Sequence, residues 1–274
     1  MRDDNTEALE LQLLLEAIEK CHSYDFGNYA RASLMRRVRR HMESVGVERI
    51  SELIPLFIHD KAAVSGFVKD MSVSVTEMFR DPEFFLSLRQ EIVPLLNTYP
   101  FVKIWHAGCA TGEEPYSMAI LLEEEGLLER CQIYATDFND EALSRARKGI
   151  YSDADMELYE ANYQKAGGKK RLEDYCQRGY DSVKFNGRLA QSITFANHNL
   201  VTDGVFGEMN LILCRNVLIY FNQELQDRVL ELLVNSLQSR GVLCIGRREN
   251  IHFSSVRDQL EKIDTRQRIY RKST

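Results

Sequence analysis

Apolar side chains recur at a helical spacing through the N-terminal part of the chain. Leu14 and Ile18 lie four residues apart within a leucine-rich stretch, and residues 50–68 repeat this spacing between polar positions. Such a period is typical of amphipathic helices, and no alternating strand pattern interrupts it. We therefore predict an all-helical domain over residues 1–88, followed by a second domain over residues 89–274.

The second domain changes to short apolar runs of strand length. The runs span residues 102–105, 132–135, 211–214 and 242–245. Helical patterns at residues 116–125 and 223–237 separate the first pair of runs and the last pair. Strands that alternate with helices indicate a parallel, doubly wound sheet with helices on both faces. The predicted fold class of this domain is therefore α/β.

Residues 166–195 interrupt this alternation. They contain short alternating segments around Gly179 and an Asn186-Gly187 pair, which is a strong signal for a hairpin turn. We predict a small antiparallel β-subdomain inserted into the α/β domain at this place.

Composition and charge exclude several classes of protein. The 274 residues are 44% apolar, which is enough to bury a core, and the net charge of −6 gives no reason to expect a nucleic-acid partner. No apolar run approaches the roughly 20 residues that span a bilayer, and the N-terminus lacks a signal-peptide pattern, so a cytoplasmic location is predicted. The six cysteines are far apart, and we expect them to be buried apolar residues rather than metal ligands or disulfides.

A glycine-containing turn follows the first predicted strand. Gly108 and Gly112 allow a ligand to approach the main chain, but their spacing is not that of a dinucleotide site. Glu113 and Glu114 would repel a pyrophosphate and suit a cation, while Asp137 ends the second strand, where an acid accepts from ribose hydroxyls. A ribose and a positive charge without phosphate describe S-adenosylmethionine. Alternatively, the two glutamates only enrich the first helical turn.

Four separated segments have the order and spacing of one known family. They are SVTEMFRD at 74–81, AGCATGEEPYS at 107–117, ATDFNDEALSRARKGIY at 135–151 and CRNVLIYF at 214–221. The chain thereby resembles the chemotaxis receptor methyltransferases of the CheR family from about residue 21 onward. The resemblance implies a class I (Rossmann-like) methyltransferase domain that uses S-adenosylmethionine to methylate receptor glutamates, with S-adenosylhomocysteine as the product.

The resemblance also implies a set of cofactor-binding residues. They are Ser74, Thr76, Arg80, Glu114, Asp137, Asn199, Leu200, Arg215 and Asn216. Glu114 would pair with the ammonium of the cofactor and Asp137 with its ribose, while Asn199 and Leu200 would form a wall of the adenine pocket. Some family members have asparagine at the position of Ser74, where a serine hydroxyl can still donate or accept.

The chemistry implied by the resemblance needs alignment rather than a general base. A glutamate is ionised near neutral pH, so it is already a nucleophile. We predict that the Arg80 guanidinium holds this carboxylate and that the Tyr220 hydroxyl donates beside the methyl group. No metal is expected. Alternatively, Arg80 makes a surface ion pair and Tyr220 is a core aromatic residue.

A basic segment near residue 36 is the predicted substrate-binding surface. Arg36, Arg37 and Arg40 are expected on one helical face, with Leu34 and Val38 on another. Such a face is ordinarily only solvated, and RNA or lipid is disfavoured because the segment is short and lacks aromatic residues. In the family that the chain resembles, this helix faces the cytoplasmic methylation helices of a membrane chemoreceptor, which implies an acidic helix as partner.

The predicted β-subdomain bears on how a receptor is held. In some family members it binds a peptide tether at the receptor C-terminus, but the stretch between Tyr175 and Phe195 is shorter here and lacks their glycine-rich loop. We therefore expect tether-independent binding. Alternative functions are a nucleotide-dependent oxidoreductase, which the missing glycine motif disfavours, a non-catalytic S-adenosylmethionine sensor, and a methyltransferase for a receptor outside chemotaxis.

Overall fold

The computed structural model describes residues 4–71 and 76–274. The described residues form two compact units, one of residues 4–71 with 219–228 and the other of residues 76–218 with 229–274. The sequence boundary at residue 88 therefore differs from the structural division. Phe84 and Phe85 explain the difference, because both are fully buried in the core of the second unit.

The first unit is helical, as predicted. Its helices are α1 (Asp4–His22), α2 (Arg31–Val45), α3 (Leu53–His59) and α4 (Lys61–Met71). Leu14, Ile18, Val38 and Phe67 are fully buried, so the apolar spacing of the sequence marks the inner faces of these helices.

The second unit alternates strands and helices. Its helices are α5 (Pro82–Ser87), α6 (Val93–Leu96), α7 (Glu113–Glu124), α8 (Asp140–Lys148), α9 (Met156–Lys165) and α10 (Gly187–Gln191), and α11 (Gln223–Asn235) begins among the residues of the first unit. Its strands are β1 (Val102–Ala107), β2 (Cys131–Asp137), β3 (Ile150–Ser152), β4 (Cys176–Arg178), β5 (Ser182–Phe185), β6 (Ile193–Asn197), β7 (Met209–Cys214), β8 (Leu237–Ile245), β9 (Leu260–Asp264) and β10 (Ile269–Lys272). The predicted α/β class is confirmed.

A seven-stranded sheet has the order β6-β2-β1-β7-β8-β10-β9. The strands β6, β2, β1, β7 and β8 are parallel, and β10 pairs antiparallel with both β8 and β9. The chain passes from β1 to β2 on one side and later places β7 on the other side of β1. The carboxyl ends of β1 and β7 therefore meet at a topological switch point, where ligands bind in open α/β sheets.

A second sheet of three antiparallel strands, β3-β5-β4, forms the predicted β-subdomain. It begins at Ile150 rather than at residue 166, and β6 belongs to the large sheet. The Asn186-Gly187 pair does not form a hairpin turn, because the flanking strands β5 and β6 lie in different sheets and Gly187 begins α10, where the Leu189 N–H donates to the Asn186 carbonyl. The β4–β5 hairpin turns at Gly179, whose N–H donates to the Ser182 carbonyl at 2.7 Å.

The cysteines are all unpaired. Cys109, Cys131, Cys214 and Cys244 are buried, as expected, but Cys21 is exposed and Cys176 is half-buried. Helices long and apolar enough to cross a membrane are absent from the described ranges. Within the same ranges, no three His, Cys, Asp or Glu side chains are grouped so that they could hold a metal ion.

Candidate active site

The turn after β1 is fixed by its glycines. Gly108, Ala110 and Gly112 have φ values of +81°, +48° and +96°. A Cβ on Gly108 would lie 2.5 Å from the Val217 side chain, and one on Gly112 would lie 2.8 Å from the Ala146 Cβ. Both positions therefore require glycine because of packing within the protein. This reason is separate from the close approach of a ligand that the sequence predicts.

Asp137 lies at the carboxyl end of β2, beside this turn. One carboxylate oxygen accepts from the Ala110 N–H and the other from the Asn139 N–H, each at 2.9 Å. Burial raises the pKa of Asp137, and the main-chain donors act in the opposite direction. The carboxylate has no ion-pair partner among the described residues, and a carboxylate offers about four lone-pair positions, so it retains capacity for further donors.

Glu114 lies in the first turn of α7 between two cationic or polar partners. His106 Nδ1 lies 2.9 Å from one oxygen, and Arg215 Nη1 donates to the other at 2.9 Å. Burial raises the pKa of Glu114, but the hydrogen bond with His106 and the charge of Arg215 outweigh burial and bring the pKa below its usual value. Glu114 is therefore ionised at neutral pH.

Arg215 connects Glu114 to the segment that carries Arg80. Its Nη2 donates to Asp81 at 2.6 Å, both terminal nitrogens lie 3.4 Å from the Arg80 carbonyl, and its guanidinium stacks 3.9 Å from the centre of the Phe84 ring. Asp81 has a φ of +57°, which a residue other than glycine adopts at an energetic cost. The two terminal nitrogens of Arg215 thus stabilise the strained turn at Arg80 and Asp81. The Arg80 residue itself is half-buried.

Asn216 follows in a second strained position, with a φ of +61°. Its N–H donates to Glu249 at 3.2 Å, and Gly246 N–H donates to the same carboxylate oxygen. Glu249 is buried and lies in the loop after β8. It therefore fixes the Arg215–Asn216 loop against the next strand.

Glu113 is buried, unlike a solvated first-turn acid. Thr111 Oγ1 donates to its carboxylate at 2.7 Å, and the Thr111 carbonyl accepts from the Tyr151 hydroxyl at 2.9 Å. Burial raises the pKa of Glu113 to about 7, although the Thr111 hydrogen bond lowers it. Glu113 therefore supports the turn through its hydrogen bond with Thr111. With a pKa of about 7, its carboxyl group is about half-protonated near neutral pH.

The adenine-wall residues follow β6 at the same edge of the sheet. Asn199 begins a tight turn, in which its N–H donates to Asp203 at 2.8 Å and its side chain accepts from the Val201 N–H at 3.0 Å. Leu200 is buried. Thr76 is half-buried, and Ser74 lies outside the described residues. The cofactor roles of these four residues remain predictions.

Tyr220 belongs to the first unit. It ends a short helical turn, Leu218–Tyr220, which follows the end of β7 at Cys214. The Tyr220 carbonyl accepts from the Ala30 N–H at 2.8 Å. The centre of the Tyr220 ring lies 4.5 Å from the guanidinium carbon of Arg37, which is above the face of the ring.

The predicted basic face of α2 is only partly correct. Arg36 and Arg40 are exposed, but Arg37 is buried with Leu34 and Val38. At 3.6 residues per turn, position 37 lies about 60° from position 34 around the helix axis, which places it beside the apolar stripe. Arg37 is therefore not part of the exposed basic surface.

Three residues of this site were not predicted from the sequence: His106, Asp81 and Glu249. The side chain of each contacts a predicted residue. Asp81 and Glu249 are more than 30 positions along the chain from the residues that they contact. His106 is the exception, because its position one residue before the end of β1 faces the first turn of the following helix. A contact at that spacing can therefore be predicted from the sequence.

The side chains at this edge fit S-adenosylmethionine chemically. Asp137 retains lone pairs for hydroxyl donors, and ionised Glu114 can attract an ammonium group. Arg215 Nε is a buried donor without an acceptor among the described residues, which a bound carboxylate could satisfy. Acceptors for hydroxyls and for a cation, together with a cationic donor, correspond to the ribose and the amino-acid end of this cofactor.

Comparisons with known proteins agree with this chemistry. The model of the all-alpha domain of CheR methyltransferases matches residues 9–72, and the model of their S-adenosylmethionine-binding domain matches residues 74–269. The protein Cher3 of Pseudomonas putida is 47% identical over 273 residues, which cover all of both chains.

Two relatives named chemotaxis protein methyltransferase are more distant. That of Listeria innocua is 30% identical over 229 residues, covering 83% of this chain and 84% of its own. That of Escherichia coli is 29% identical over 233 residues, covering 81% of this chain and 78% of its own. The chain therefore belongs to the CheR family of S-adenosylmethionine-dependent methyltransferases.

Proposed function

We propose that this enzyme methylates glutamate side chains in the cytoplasmic methylation helices of a membrane chemoreceptor. The observation that carries the proposal is the outer face of α2, where Arg36 and Arg40 are exposed and have no ion-pair partner among the described residues. Two uncompensated cations on a protein of net charge −6 favour an acidic partner. The names of the Listeria and Escherichia coli relatives support a chemotaxis receptor as that partner.

The surface around these arginines suits a helix rather than a small molecule. Ala32, Met35, Arg36, Arg39, Arg40 and Glu43 line a shallow, open depression of about 680 Å³. Arg39 is held by Glu7 through two contacts of 3.0 Å, so its charge is already compensated. Arg36 and Arg40 therefore remain as the proposed receptor contacts.

The cofactor site is proposed to work through the network at the carboxyl edge of the sheet. S-adenosylmethionine, when bound, supplies an electrophilic methyl group. In this proposal Asp137 accepts from the ribose hydroxyls, Glu114 holds the ammonium, and Arg215 keeps Glu114 and the Arg80 turn in place. The ion pair of Arg215 with Glu114 supports this division of roles, because Arg215 is almost completely buried and both of its terminal nitrogens are occupied.

The receptor glutamate needs no general base in this proposal. Its carboxylate is ionised above about pH 6, since an unperturbed glutamate has a pKa near 4.3. Arg80 would hold the carboxylate, and the Tyr220 hydroxyl would donate to the reacting groups. The strained Asp81 position and its contact with Arg215 support a functional role for the Arg80 turn.

Tether-independent receptor binding remains part of the proposal. The hairpin between β4 and β5 closes at Gly179 with a single tight turn, which leaves little loop for a peptide tether. A receptor fragment without its C-terminal tail should accordingly be methylated as well as the intact receptor.

Charge reversal on α2 tests the proposal. We expect Arg36→Glu/Arg40→Glu to lower kcat/KM for a receptor cytoplasmic fragment about ten-fold or more, because reversed charges repel an acidic helix. S-adenosylhomocysteine affinity, measured by calorimetry, should stay unchanged. The matched control is Arg257→Glu/Lys262→Glu, which changes the net charge equally at two exposed positions of the second unit.

Two results would contradict the proposal. Equal losses in both double variants would mean that overall charge, rather than the face of α2, controls the rate. A loss of S-adenosylhomocysteine binding in the α2 variant alone would mean that this face supports the fold or the cofactor site.

A further inference from the structure

Arg37 is a buried cation on the inner face of α2. Only 5% of its surface is exposed, and it lies in the stripe that also contains Leu34, Val38 and His41. The ion pairs among the described residues do not include Arg37, so no carboxylate there neutralises it. A buried charge without an anionic partner is costly, and such a residue is retained only where other contacts or a function compensate.

Tyr220 is the principal contact of this cation. The guanidinium carbon lies 4.5 Å from the centre of the Tyr220 ring, and Nη1 donates to the Met71 carbonyl. Nη2 has no hydrogen-bond partner within the part of the chain that the structure describes. Burial lowers the pKa of Arg37, whereas the Tyr220 side chain favours the charged form. The attraction between a cation and an aromatic face restricts the orientation of the ring.

The main chain around Tyr220 is anchored independently of Arg37. Ala30 N–H donates to the Tyr220 carbonyl at 2.8 Å, and Asn222 N–H donates to the Asn28 carbonyl at 2.8 Å. The rings of Tyr29 and Phe221 meet edge to face, with centres 5.2 Å apart. Loss of Arg37 should therefore free the Tyr220 ring while leaving its main chain in place.

We propose that Arg37 is a positioning residue that holds the Tyr220 ring for methyl transfer. The inference rests on the role proposed above for Tyr220. It also connects two faces of one helix, because Arg36 and Arg40 on the outer face are the proposed receptor contacts, while Arg37 on the inner face supports the tyrosine.

Substitution of Arg37 separates positioning from packing. Arg37→Met keeps a long apolar stem but removes the planar cation, and Arg37→Lys restores a charge. We expect kcat on a receptor fragment to fall about ten- to a hundred-fold in Arg37→Met, with partial recovery in Arg37→Lys. The KM for the fragment and the Kd for S-adenosylhomocysteine should change less than about two-fold. Arg31→Met, at the exposed start of the same helix, is the control.

Two further measurements test whether Arg37 affects kcat through Tyr220. In the Tyr220→Phe background, Arg37→Met should add little to the loss in kcat, because both changes affect the same hydroxyl. In protein with 3-fluorotyrosine at position 220, the fluorine resonance should shift and narrow in Arg37→Met, as expected for a ring that is released. Thermal melting identifies variants that fail to fold, and Arg37→Lys then serves in place of Arg37→Met.

Several outcomes would overturn the inference: wild-type kcat in Arg37→Met, a rise in KM alone, fully additive losses with Tyr220→Phe, or an unchanged fluorine resonance. If the wild-type enzyme methylates no receptor fragment, the proposed function fails, while the fluorine resonance still decides whether Arg37 holds the ring.

Discussion

Asp137 combines deep burial with acceptor capacity that the protein itself does not use. Its two oxygens accept from the Ala110 and Asn139 main chain, and no cation of the described residues pairs with it. We expect Asp137→Asn to weaken S-adenosylhomocysteine binding about ten- to a hundred-fold, because hydrogen bonds to a charged group contribute about 1.5–3 kcal/mol. Calorimetry of this variant and of Asp140→Asn, an exposed neighbour, measures the effect. Equal affinities in the two variants would exclude the ribose role.

Glu113 should make stability depend on pH. Burial raises its pKa from 4.5 to about 7 in the folded chain. The folded state therefore binds this proton more tightly than the unfolded state, so the free energy of unfolding decreases as the pH rises from 4.5 to about 7 and is not lowered further above that range.

Replacement of this acid by its amide should remove the dependence. Relative to wild type, Glu113→Gln should gain about 2–3 kcal/mol of stability between about pH 5 and about pH 8. Urea unfolding at both pH values measures the difference, with Glu157→Gln as an exposed control. A difference that is the same at both pH values would show that Glu113 is ionised throughout.

Individual residues of the site differ in how far the sequence could predict them. The positions of Glu114 and Asp137 could be predicted because Asp137 ends a recognisable strand and Glu114 lies in the helix that follows another. Asp81 and Glu249 could not, since their partners lie 134 and 33 positions away along the chain and only the assembled sheet brings them together. Arg215 was predicted as a cofactor ligand. Its guanidinium also donates to both Glu114 and Asp81, and these contacts support the turn at Arg80.

At the scale of elements, the turn between β1 and α7 depends on Gly112. Alanine at Gly112 would place a Cβ 2.8 Å from the Ala146 Cβ and 3.1 Å from its Cα, whereas alanine at Gly126 would meet no atom within 4 Å. Both glycines have positive φ, so the backbone cost of about 1–2 kcal/mol is common to both. We expect Gly112→Ala to lose about 1–3 kcal/mol more than Gly126→Ala in urea unfolding, and also to bind S-adenosylhomocysteine more weakly. Equal stability of the two variants would contradict this explanation.

The elements themselves show what a pattern can and cannot predict. The strand positions of β1, β2, β7 and β8 were predictable because fully buried strands give continuous apolar runs. The hairpin predicted at Asn186-Gly187 is wrong because the same two residues also suit the start of a helix, and the strands on either side of them pair in different sheets. Arg37 was predicted to share one helical face with Arg36 and Arg40, whereas its contact with the Tyr220 ring depends on a residue far along the chain and could not be predicted from a helical period.

In the whole molecule, residues 219–228 belong to the helical first unit although they lie between β7 and β8 of the large sheet in sequence. The assignment of these residues to the first unit could not be predicted from composition, because it depends on the main-chain pairing of Tyr29 with Phe221. It has a functional consequence within that unit. The tyrosine proposed to act in methyl transfer and the arginines proposed to bind the receptor are carried by the same compact body.

Methyl transfer to receptor glutamates can be measured on the reaction product itself. The most direct measurement incubates the purified protein with S-adenosylmethionine and a receptor cytoplasmic fragment, and then locates the added methyl groups by peptide mass spectrometry. We predict methyl esters on glutamate side chains of the methylation helices, which release methanol in mild base and are strongly reduced with Asp137→Asn. Binding of S-adenosylmethionine without any methylated glutamate, or methyl groups on nitrogen atoms instead, would contradict the proposed methylation of receptor glutamates.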